Sequence, residues 1–537
     1  MTARGTAAAV GAMVTLAALT LFSADRATTP MRADVIEGPY ARMLSESLDL
    51  GPARADRIRV TAALHSPAEP VLLKAWARAH GLRAQWREGD DWAVIEGEPS
   101  VVNTAFGLAV HDYRAQTGPE PGRIFYASRQ QPGVPPAARF EVSGVGRILG
   151  YVPYREALPG PLPGPPREVP GGALAPHQLL KAYNAAPLAA EGFTGKGRTV
   201  VVFAFDGFLQ SDMDAFADSS GLPRFTPEVI GGMPTQRTGE ANMNLQVIHA
   251  IAPDAKLVMV NARPTVDHEG GNAFEKLGEL MESVDRQFPG AVWSFSIGWG
   301  CDRLFTPADF APVRAALAAA HKNGTTAFIA SGNLAGMECK GGHNWADPPS
   351  PDDVGVDAVA SLPEMTAVGG TKLSTDADGS WLAEQAWYNV PLILGTAGGA
   401  SVLFDRPPWQ TVGDGFPERR LVPDVAAVAD PFTGVRIVFE QEVAVGGGTS
   451  QAAPIWAGLA TLINDKLVDG GAEPLGDFNP TLYQLAGESA LPGFRHIGAG
   501  GNAISRSSQG GYDMVTGLGT PNIANLVKNI LLARAAA

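Results

Sequence analysis

A serine in a glycine-rich turn is the strongest candidate for chemistry in this chain. Ser450 lies in the sequence Gly447-Gly448-Thr449-Ser450-Gln451-Ala452-Ala453-Pro454, directly before an apolar stretch that predicts a helix. At a helix N-terminus, backbone N–H groups and the positive end of the helix dipole can stabilise an oxyanion. The pattern predicts a nucleophile. A serine that only caps the helix is the alternative interpretation.

Two carboxylates and two amides lie on one predicted helix or just after predicted strands. Glu240 and Asn244 are four residues apart in a predicted helix, so their side chains share one face of it. His249 follows Glu240 by nine residues, which places it on the opposite face, and we interpret it as structural. Asp206 and Asn333 each follow a predicted strand.

Strand and helix patterns alternate beyond residue 173, which predicts an α/β fold with a parallel sheet. The predicted strands include 199–205, 256–260, 292–297 and 325–330, and the predicted helices include 240–251 and 307–322. In such sheets, side chains that do chemistry gather at the carboxyl ends of the strands. Asp206, Trp299 and Asn333 all follow strand ends, so we expect them near one edge of the sheet.

Residues 58–150 have the pattern of a small α+β domain. Its predicted strands are 57–64, 92–97 and 124–126, and its predicted helices are 69–80, ended by Gly81, and 100–106, capped by Ser100 and ended by Gly107. The proline- and glycine-rich stretch 158–166 follows and predicts an extended linker. It is interpreted as a processing site, or alternatively as a spacer between two permanent domains.

Composition and the first residues narrow the function class. The net charge of −14 argues against a general nucleic-acid binder. The uncharged, mostly apolar run 7–22 follows Arg4 and predicts a secretory signal, with a retained membrane anchor as the alternative. The chain has two cysteines, Cys301 and Cys339, which in an exported protein predict one disulfide.

The Ser450 motif resembles the nucleophile motif of the sedolisin family, the serine-carboxyl peptidases with a subtilisin-like fold. Further stretches are similar to family motifs in the same order, namely 195–200, 249–253, 368–371, 404–410, 422–425 and 511–521, and residues 58–150 resemble the family's activation propeptide. The resemblance implies a subtilisin-like parallel sheet flanked by helices, preceded by a small ferredoxin-like α+β domain. It divides the chain into a signal peptide or anchor at 1–27, a propeptide at 55–152, a linker at 153–172 and a peptidase domain at 173–537.

The resemblance also implies roles for the candidate residues. Ser450 matches the nucleophile and Glu240 the general base. Asn244 and Asn333 stand where the family has aspartates, one that orients the glutamate and one in the oxyanion hole. Asn333 can still donate an N–H, whereas Asn244 can hydrogen-bond Glu240 but cannot share a proton with it. We hypothesise that Asp206 pairs with Glu240 instead, the alternative being that Asp206 caps a loop.

Glycines and a tryptophan match the family segments that line the substrate cleft. These residues are Trp299, Gly300, Gly398 and Gly399. Glycine allows a peptide backbone to approach closely and pair like an added strand. Two ordinary turns are the alternative interpretation.

A calcium site is the cofactor that the resemblance implies, and no other is expected. Asp513 matches a carboxylate ligand, and Ile497, Gln509 and Gly511 match positions that supply carbonyls. His496 stands where the first aspartate is expected, and hard Ca²⁺ prefers oxygen to imidazole. Calcium is therefore a candidate ligand at a site that has lost one carboxylate.

The sequence as a whole predicts a secreted endopeptidase precursor of sedolisin type. We expect a monomer that takes protein or peptide substrates, binds no nucleic acid and is inhibited by its own propeptide. The rival interpretation is a pseudopeptidase that keeps the groove for binding peptides or a partner, which the loss of two carboxylates favours. An α/β-hydrolase is disfavoured because no G-x-S-x-G sequence surrounds Ser450.

Overall fold

The computed structural model of the chain describes residues 33–154, 173–267, 273–340, 349–390, 394–487, 491–508 and 510–536. The predicted signal segment 1–27 lies outside these residues, and so does the linker 153–172 except for its first two positions. Both remain predictions from the sequence.

A parallel sheet forms the centre of the chain that follows residue 173. Among the described residues it contains eight strands. Seven lie side by side in the order Glu228–Ile230, Lys256–Asn261, Thr199–Ala204, Val292–Phe295, Thr326–Ala330, Thr366–Thr375 and Trp381–Ala386, and Val425–Val428 also pairs with Thr366–Thr375. All pairs are parallel except the one made by Trp381–Ala386. The predicted α/β fold with a parallel sheet is confirmed.

Runs of β-branched and aromatic residues explain why these segments form central strands. Thr199–Ala204 reads Thr-Val-Val-Val-Phe-Ala, and every residue after the threonine is buried. Such side chains suit strands that are covered on both faces. The four predicted strands are confirmed, although two end earlier than predicted, at Ala204 and Phe295. Asp206 and Ser296 therefore lie in the loops that leave the sheet, Ser296 as the first residue of its loop and Asp206 as the second.

Helices cover both faces of this sheet. In the described part of the chain after residue 173 the α-helices are Gln178–Ala182, Ala186–Ala190, Gln210–Ser220, Glu240–Ile251, Pro264–Asp267, Ala273–Gln287, Ala311–Lys322, Thr449–Asp469, Asn479–Ala486 and Ile523–Ala536. We name Glu240–Ile251 the glutamate helix and Thr449–Asp469 the nucleophile helix. Both pack with Val200 and Val202 on one face of the sheet. The alternate residues Val201 and Phe203 face the layer that contains Ala273–Gln287.

Residues 33–154 form a second unit, which we name the N-terminal unit. Its four-stranded antiparallel sheet has the order Arg83–Gln85, Trp92–Gly97, Ile58–Leu64 and Val142–Val145, with helices Val71–Ala79 and Pro99–Phe106. When the four strands of this sheet are counted in chain order, the first, Ile58–Leu64, lies between the third and the fourth. This is the ferredoxin-like arrangement.

The beginning of the second helix differs from the sequence prediction. Ser100 is wrong as the N-cap, because the helix begins at Pro99 and Glu98 takes the cap position with extended dihedral angles. Proline suits a first helical position, where its missing N–H would have no helical acceptor. Gly107 ends the helix in the left-handed conformation at φ 65°, as predicted.

The N-terminal unit also includes residues before position 55. Asp34–Val35 pairs with Gln130–Gln131 and Leu48–Pro52 with Val110–Arg114, which forms a hairpin with Ile124–Ser128; a short helix, Pro39–Ser45, lies between the first two strands. The unit therefore begins at least 20 residues earlier than the predicted propeptide boundary.

Smaller elements complete the described residues. The remaining strand pairs are Tyr388–Asn389 with Leu394–Gly395, Gly399–Asp405 with Arg419–Val422, Arg436–Phe439 with Glu442–Val445, and Phe494–Arg495 with Thr520–Pro521; the 3₁₀ turns are Pro136–Ala138, Asp302–Leu304, Pro307–Phe310 and Glu338–Lys340. Pro307–Phe310 precedes Ala311–Lys322, so the predicted helix 307–322 begins as a 3₁₀ turn. No helix among the described residues has the length and apolar character needed to cross a membrane.

Candidate active site

Ser450 is the second residue of the nucleophile helix and is only 3% exposed. Pro454 lies four residues later and has no N–H, so the Ser450 carbonyl oxygen has no helical donor. That oxygen accepts a hydrogen bond from the Ser296 hydroxyl at 2.9 Å, and the Ser450 hydroxyl donates to the Ser296 carbonyl oxygen at 3.1 Å. The proline therefore makes possible a reciprocal link between the nucleophile helix and the loop after Val292–Phe295.

Asn333 lies beside the first turn of the nucleophile helix. Its Oδ1 accepts hydrogen bonds from the Thr449 N–H at 2.8 Å and from the Thr449 hydroxyl at 2.9 Å. The same hydroxyl accepts from the Gly332 N–H at 3.1 Å. A backbone N–H can bind only the oxygen of the amide, so Nδ2 is the end of Asn333 that can donate to another group. Thr449 thus fixes the orientation of the candidate oxyanion donor.

Glu240 is the first residue of the glutamate helix and is 3% exposed. Gly239 precedes it with φ 91°, a conformation that favours glycine. The Phe439 ring covers this position, because a Cβ at residue 239 would lie 3.3 Å from it. The start of the helix is therefore held between a left-handed glycine and an aromatic ring.

Asp206 binds the same helix end through its carboxylate. Its oxygens accept hydrogen bonds from the N–H groups of Thr238, Glu240 and Ala241, at 3.0, 3.2 and 3.0 Å, and from the Thr238 hydroxyl at 2.8 Å. Burial raises the pKa of Asp206, while these hydrogen bonds act in the opposite direction. A carboxylate at a helix N-terminus also interacts favourably with the helix dipole. The Asp206 carboxylate therefore positions Glu240 by binding the main chain of Glu240 and of its neighbours.

Asn244 lies one turn after Glu240 on the glutamate helix and is fully buried. Neither its Nδ2 nor its Oδ1 has a hydrogen-bond partner among the residues that the structure describes. Asn244 therefore forms no hydrogen bond with Glu240 in the described part of the chain. A buried amide without a partner is costly, on the order of 1–3 kcal/mol.

Other polar residues of the glutamate helix face away from the candidate site. The Asn242 amide donates to Asp212 at 2.9 Å and to the Val438 carbonyl oxygen at 3.2 Å. His249 is buried, stacks on Phe225 at 3.8 Å between ring centroids, and shares a hydrogen bond of 2.8 Å with a backbone carbonyl. Burial lowers the pKa of His249. These contacts agree with the interpretation of His249 as structural.

The first predicted cleft segment is covered by other parts of the chain. The Trp299 ring is fully buried and packs edge-on against Phe205 at 5.4 Å. Gly300 has φ 86°, and a Cβ there would lie 3.3 Å from Pro153 at the end of the N-terminal unit. The last described residues of that unit therefore lie against the predicted cleft.

The packing of the fold leaves little or no room for a side chain at the glycines of the second predicted cleft segment. A Cβ at Gly398 would overlap the Met514 carbonyl oxygen, so this position excludes any side chain. Gly399 begins the strand Gly399–Asp405 and would bring a Cβ to 3.3 Å from Val356. Internal packing alone explains the glycine at position 398.

A disulfide joins Cys301 to Cys339, with their Cα atoms 4.8 Å apart. It connects the segment that contains Gly300 with the segment that follows Asn333. Beside it, Asp357 accepts hydrogen bonds from the N–H groups of Trp299, Val359 and Ala360. Burial raises the pKa of Asp357 to about 7. Both walls of the candidate site are thus tied to the buried core.

The residues of the predicted calcium site do not fit a calcium ion. The Asp513 carboxylate accepts hydrogen bonds from the N–H groups of Ser508, Val515 and Thr516, which occupy oxygen lone pairs that a cation would need. His496 brings an imidazole N–H, which is no ligand for calcium. The expected carbonyl of Gln509 lies outside the described residues. The one group of three metal-binding side chains in the described parts of the chain contains the disulfide-bonded cysteines.

The sequence reasoning missed Thr449 and Ser296. Thr449 orients Asn333, and Ser296 pairs with Ser450 over 154 positions of sequence. The signal for Ser296 was the position of Pro454, four residues after the serine, because it removes the helical donor of the Ser450 carbonyl. The donor that such a freed carbonyl oxygen finds cannot be identified from spacing.

Comparisons with known proteins agree with this arrangement. No family model matches the chain. It is similar to kumamolisin of Bacillus sp. (strain MN-32), with 28% identity over 488 residues that cover 86% of this chain and 82% of the relative. It is also similar to sedolisin of Pseudomonas sp. (strain 101), with 25% identity over 426 residues that cover 71% of this chain and 70% of the relative.

A solved structure extends the likeness to the fold. Pseudomonas sedolisin, a serine-carboxyl proteinase complexed with two molecules of pseudo-iodotyrostatin, superposes with a TM-score of 0.55 and 25% identity. The superposition covers 67% of this chain and 98% of that structure. The order of motifs, the parallel sheet and these relatives lead to one conclusion: over most of its length the chain is similar to the serine-carboxyl peptidases kumamolisin and sedolisin.

Proposed function

We propose that the chain is the precursor of a secreted endopeptidase that cleaves proteins or peptides through Ser450. The observation that carries the proposal is the pair of hydrogen bonds from Thr449 to Asn333 Oδ1, because it aims an N–H donor at the start of the nucleophile helix. Such a donor, together with the first N–H groups of a helix, can stabilise the oxyanion of acyl transfer.

In the proposed reaction Glu240 acts as the general base, the role that the resemblance to serine-carboxyl peptidases implies. The Ser450 Oγ attacks the carbonyl carbon of the scissile bond while Glu240 takes the hydroxyl proton. The oxyanion that forms is stabilised by Asn333 Nδ2 and by helix N–H groups. Glu240 then returns the proton to the departing amine, which leaves an acyl-enzyme. A water molecule hydrolyses this ester by the same sequence of proton transfers.

The resting hydroxyl has to turn before it can react. Its single proton donates to the Ser296 carbonyl oxygen, which can only accept. Transfer of that proton to Glu240 therefore requires a rotation about the Ser450 side chain. Substrate binding in the cleft is the event that we expect to displace the hydroxyl from Ser296.

The N-terminal unit is proposed as the intramolecular inhibitor. Arg59 forms an ion pair with Glu275 at 2.6 Å, and Arg87 forms one with Glu282 at 2.5 Å, so two arginines of this unit bind the helix Ala273–Gln287. The unit ends with Pro153 against Gly300 in the predicted cleft. A segment in that position would block a substrate until the following linker is cut.

The partnerless Asn244 favours one alternative, a pseudopeptidase that binds peptides without cleaving them. In this reading the loss of the carboxyl at position 244 leaves Glu240 too weakly coupled to act as a base in acid. Asp206 argues for the enzyme, because it still holds the first turn of the glutamate helix.

Acidification of the purified precursor distinguishes the two. We expect the native chain to shorten with time and the Ser450→Ala chain to stay intact, as followed by gel electrophoresis and intact-mass measurement. Processing at equal rates in both would show that a contaminating peptidase is responsible. Persistence of both chains, combined with retention of peptides on the Ser450→Ala protein, would establish the pseudopeptidase.

A charge exchange tests the inhibitory contact. We expect Arg59→Glu to speed acid processing, because it places a carboxylate beside Glu275. The double variant Arg59→Glu with Glu275→Arg should return the rate toward the parent value. Arg78→Glu, at an exposed position of the same unit, is the matched control. Equal rates in all four proteins would contradict the proposed role.

A further inference from the structure

The loop that should hold calcium is closed in this structure by a histidine. His496 is half-buried, and its Nε2 donates a hydrogen bond to the Ser508 carbonyl oxygen at 2.7 Å. The backbone N–H of Ser508 donates a hydrogen bond to the Asp513 carboxylate at 3.3 Å. His496 therefore fixes Ser508 between itself and the carboxylate that a metal ion would have bound.

The Asp513 carboxylate is bound by N–H groups of the chain. One of its oxygens accepts from the N–H groups of Val515 and Thr516, both at 2.8 Å. Burial raises the pKa of Asp513, while these N–H groups and the nearby His496 act in the opposite direction. The carboxylate is thus solvated by the chain itself.

The segment between His496 and Ser508 reaches the candidate active site. The Ala503 N–H donates to the Ala335 carbonyl oxygen at 3.2 Å, and the Asn502 amide donates to the Thr396 carbonyl oxygen at 3.0 Å. Ala335 lies two residues after Asn333.

The residues on either side of Thr396 bind the main chain of Asn333 and its neighbour directly. The Gly395 N–H donates to the Asn333 carbonyl oxygen and the Ala397 N–H to the Gly332 carbonyl oxygen, both at 3.0 Å. A loop that holds Thr396 therefore also supports the main chain of the oxyanion donor.

We propose that His496 takes over the structural work of a metal ion, so that this loop supports Asn333 without calcium. The imidazole N–H occupies a carbonyl of the segment that was expected to supply metal ligands. It is a directional donor at hydrogen-bond distance, whereas calcium needs six to eight oxygen ligands. His496 is a positioning residue, acting on Asn333 through Ser508 and the 499–504 segment. The inference concerns metal independence and does not rest on peptidase activity.

Thermal unfolding of the full chain tests the proposal. The Ser450→Ala background prevents self-digestion, and the unfolding midpoint is measured in a chelator and in millimolar calcium chloride. We expect the same midpoint in both solutions. A midpoint that rises with calcium and falls with the chelator would overturn the proposal.

Two variants at position 496 test the hydrogen bond itself. His496→Ala should lower the midpoint by roughly 2 °C or more, since a half-buried hydrogen bond and its packing are lost. His496→Gln keeps a side-chain N–H and should lower it less. His177→Ala, at an exposed histidine, is the control and should leave it unchanged. An unchanged midpoint for His496→Ala, or equal losses for Ala and Gln, would overturn the role of the donor.

Hydrogen exchange provides a readout that follows the loop to the active site. In the Ser450→Ala background we expect the amides of Ala503 and Gly395 to exchange several-fold faster in His496→Ala than in the parent. Exchange should be unchanged for the amide of Val60, deep in the N-terminal unit. Faster exchange confined to residues 496–513 would show that the loop does not support Asn333. Because every protein in these measurements lacks the nucleophile, the result is independent of whether the chain is an active peptidase.

Discussion

At the scale of single residues, the amide at position 333 changes what pH can do to the candidate oxyanion hole. A carboxyl there would have to be protonated before it could donate a hydrogen bond. The Asn333 amide donates at every pH, and Thr449 holds it in one orientation through two hydrogen bonds. We therefore expect the oxyanion hole to work over a wider pH range than one built on an aspartate.

Substitution of Asn333 tests this expectation. Asn333→Ala should lower kcat/KM by about 10²–10³-fold at all pH values, because the donor is lost. Asn333→Asp should be equally poor at neutral pH, where a carboxylate would repel the oxyanion, and should recover as the pH falls and the carboxyl is protonated. Profiles of kcat/KM against pH for the three proteins measure this. A flat profile for Asn333→Asp would contradict it.

Asn244 is the residue at which the site is most incomplete. Asn244→Asp should raise activity in acid, because two carboxyls one helical turn apart can hold one proton between them. The measurement is the pH dependence of peptide cleavage. Asn242→Asp on the same helix is the control, and it should lower stability because it faces the Asp212 carboxylate. No gain from Asn244→Asp would show that this position does not limit the reaction.

Local spacing was enough to predict the candidate residues of the site, but not the hydrogen bonds that they form. Glu240 and Asn244 could be placed on one helix face because a helix has a fixed period. Among the described residues the Asn244 amide has no hydrogen-bond partner. Spacing could not predict this, since the surroundings of the amide depend on residues far away in sequence. The same holds for Ser296, whose contact with Ser450 requires the assembled sheet.

At the scale of elements, the disulfide joins two loops that leave neighbouring strands. It closes a loop of 38 residues between Cys301 and Cys339, which includes the strand Thr326–Ala330 and the candidate oxyanion donor. Cross-linking a loop of this length removes conformational freedom mainly from the unfolded chain. The bond therefore stabilises the fold around Asn333 without contacting a substrate.

Removal of the disulfide should be costly. The double variant Cys301→Ser with Cys339→Ser is expected to lose about 4 kcal/mol of unfolding free energy by the loop-entropy estimate. Denaturant unfolding in the Ser450→Ala background measures it, with reduced parent protein as the matched comparison. If the double variant were as stable as the oxidised parent, the disulfide would have no part in holding these loops.

Strands and long helices were predictable because their signals are local. The buried run at Thr199–Ala204 and the pattern of the glutamate helix each define their own element. The boundaries of the elements were less predictable. Ser100 has the right chemistry for an N-cap, yet the helix begins at Pro99, which suits the first helical position better. The role of residues before 55 could not be predicted, because short strands form only where they pair with other strands of the sheet.

At the scale of the whole molecule, the buried carboxyls of Asp357 and Asp302 accept hydrogen bonds from backbone N–H groups. Burial raises the pKa of Asp357 to about 7 and that of Asp302 to about 6, well above the ordinary value of 3.8. Because the folded-state pKa is raised, the stability that each protonated carboxyl contributes is fully present below pH 3.8. It is lost as the pH rises through the folded pKa. The fold should therefore be more stable at pH 5 than at pH 8.

The pH dependence of unfolding tests this account. We expect the midpoint of the Ser450→Ala protein to fall between pH 5 and pH 8, and to fall less in Asp357→Asn, which cannot ionise. Asp378→Asn, at an exposed aspartate, should behave like the parent. An equal slope in Asp357→Asn would show that this carboxyl does not set the dependence.

The reciprocal pair of Ser296 and Ser450 has a consequence for the time at which a new chain acquires its site. The two residues are separated by 154 positions. At about 5–20 residues per second, a ribosome needs roughly 8–30 s to pass from one to the other. During that interval the N-terminal unit is already complete and can fold. Ser450 thus emerges late, into a chain whose N-terminal unit, the proposed inhibitor, has had time to fold.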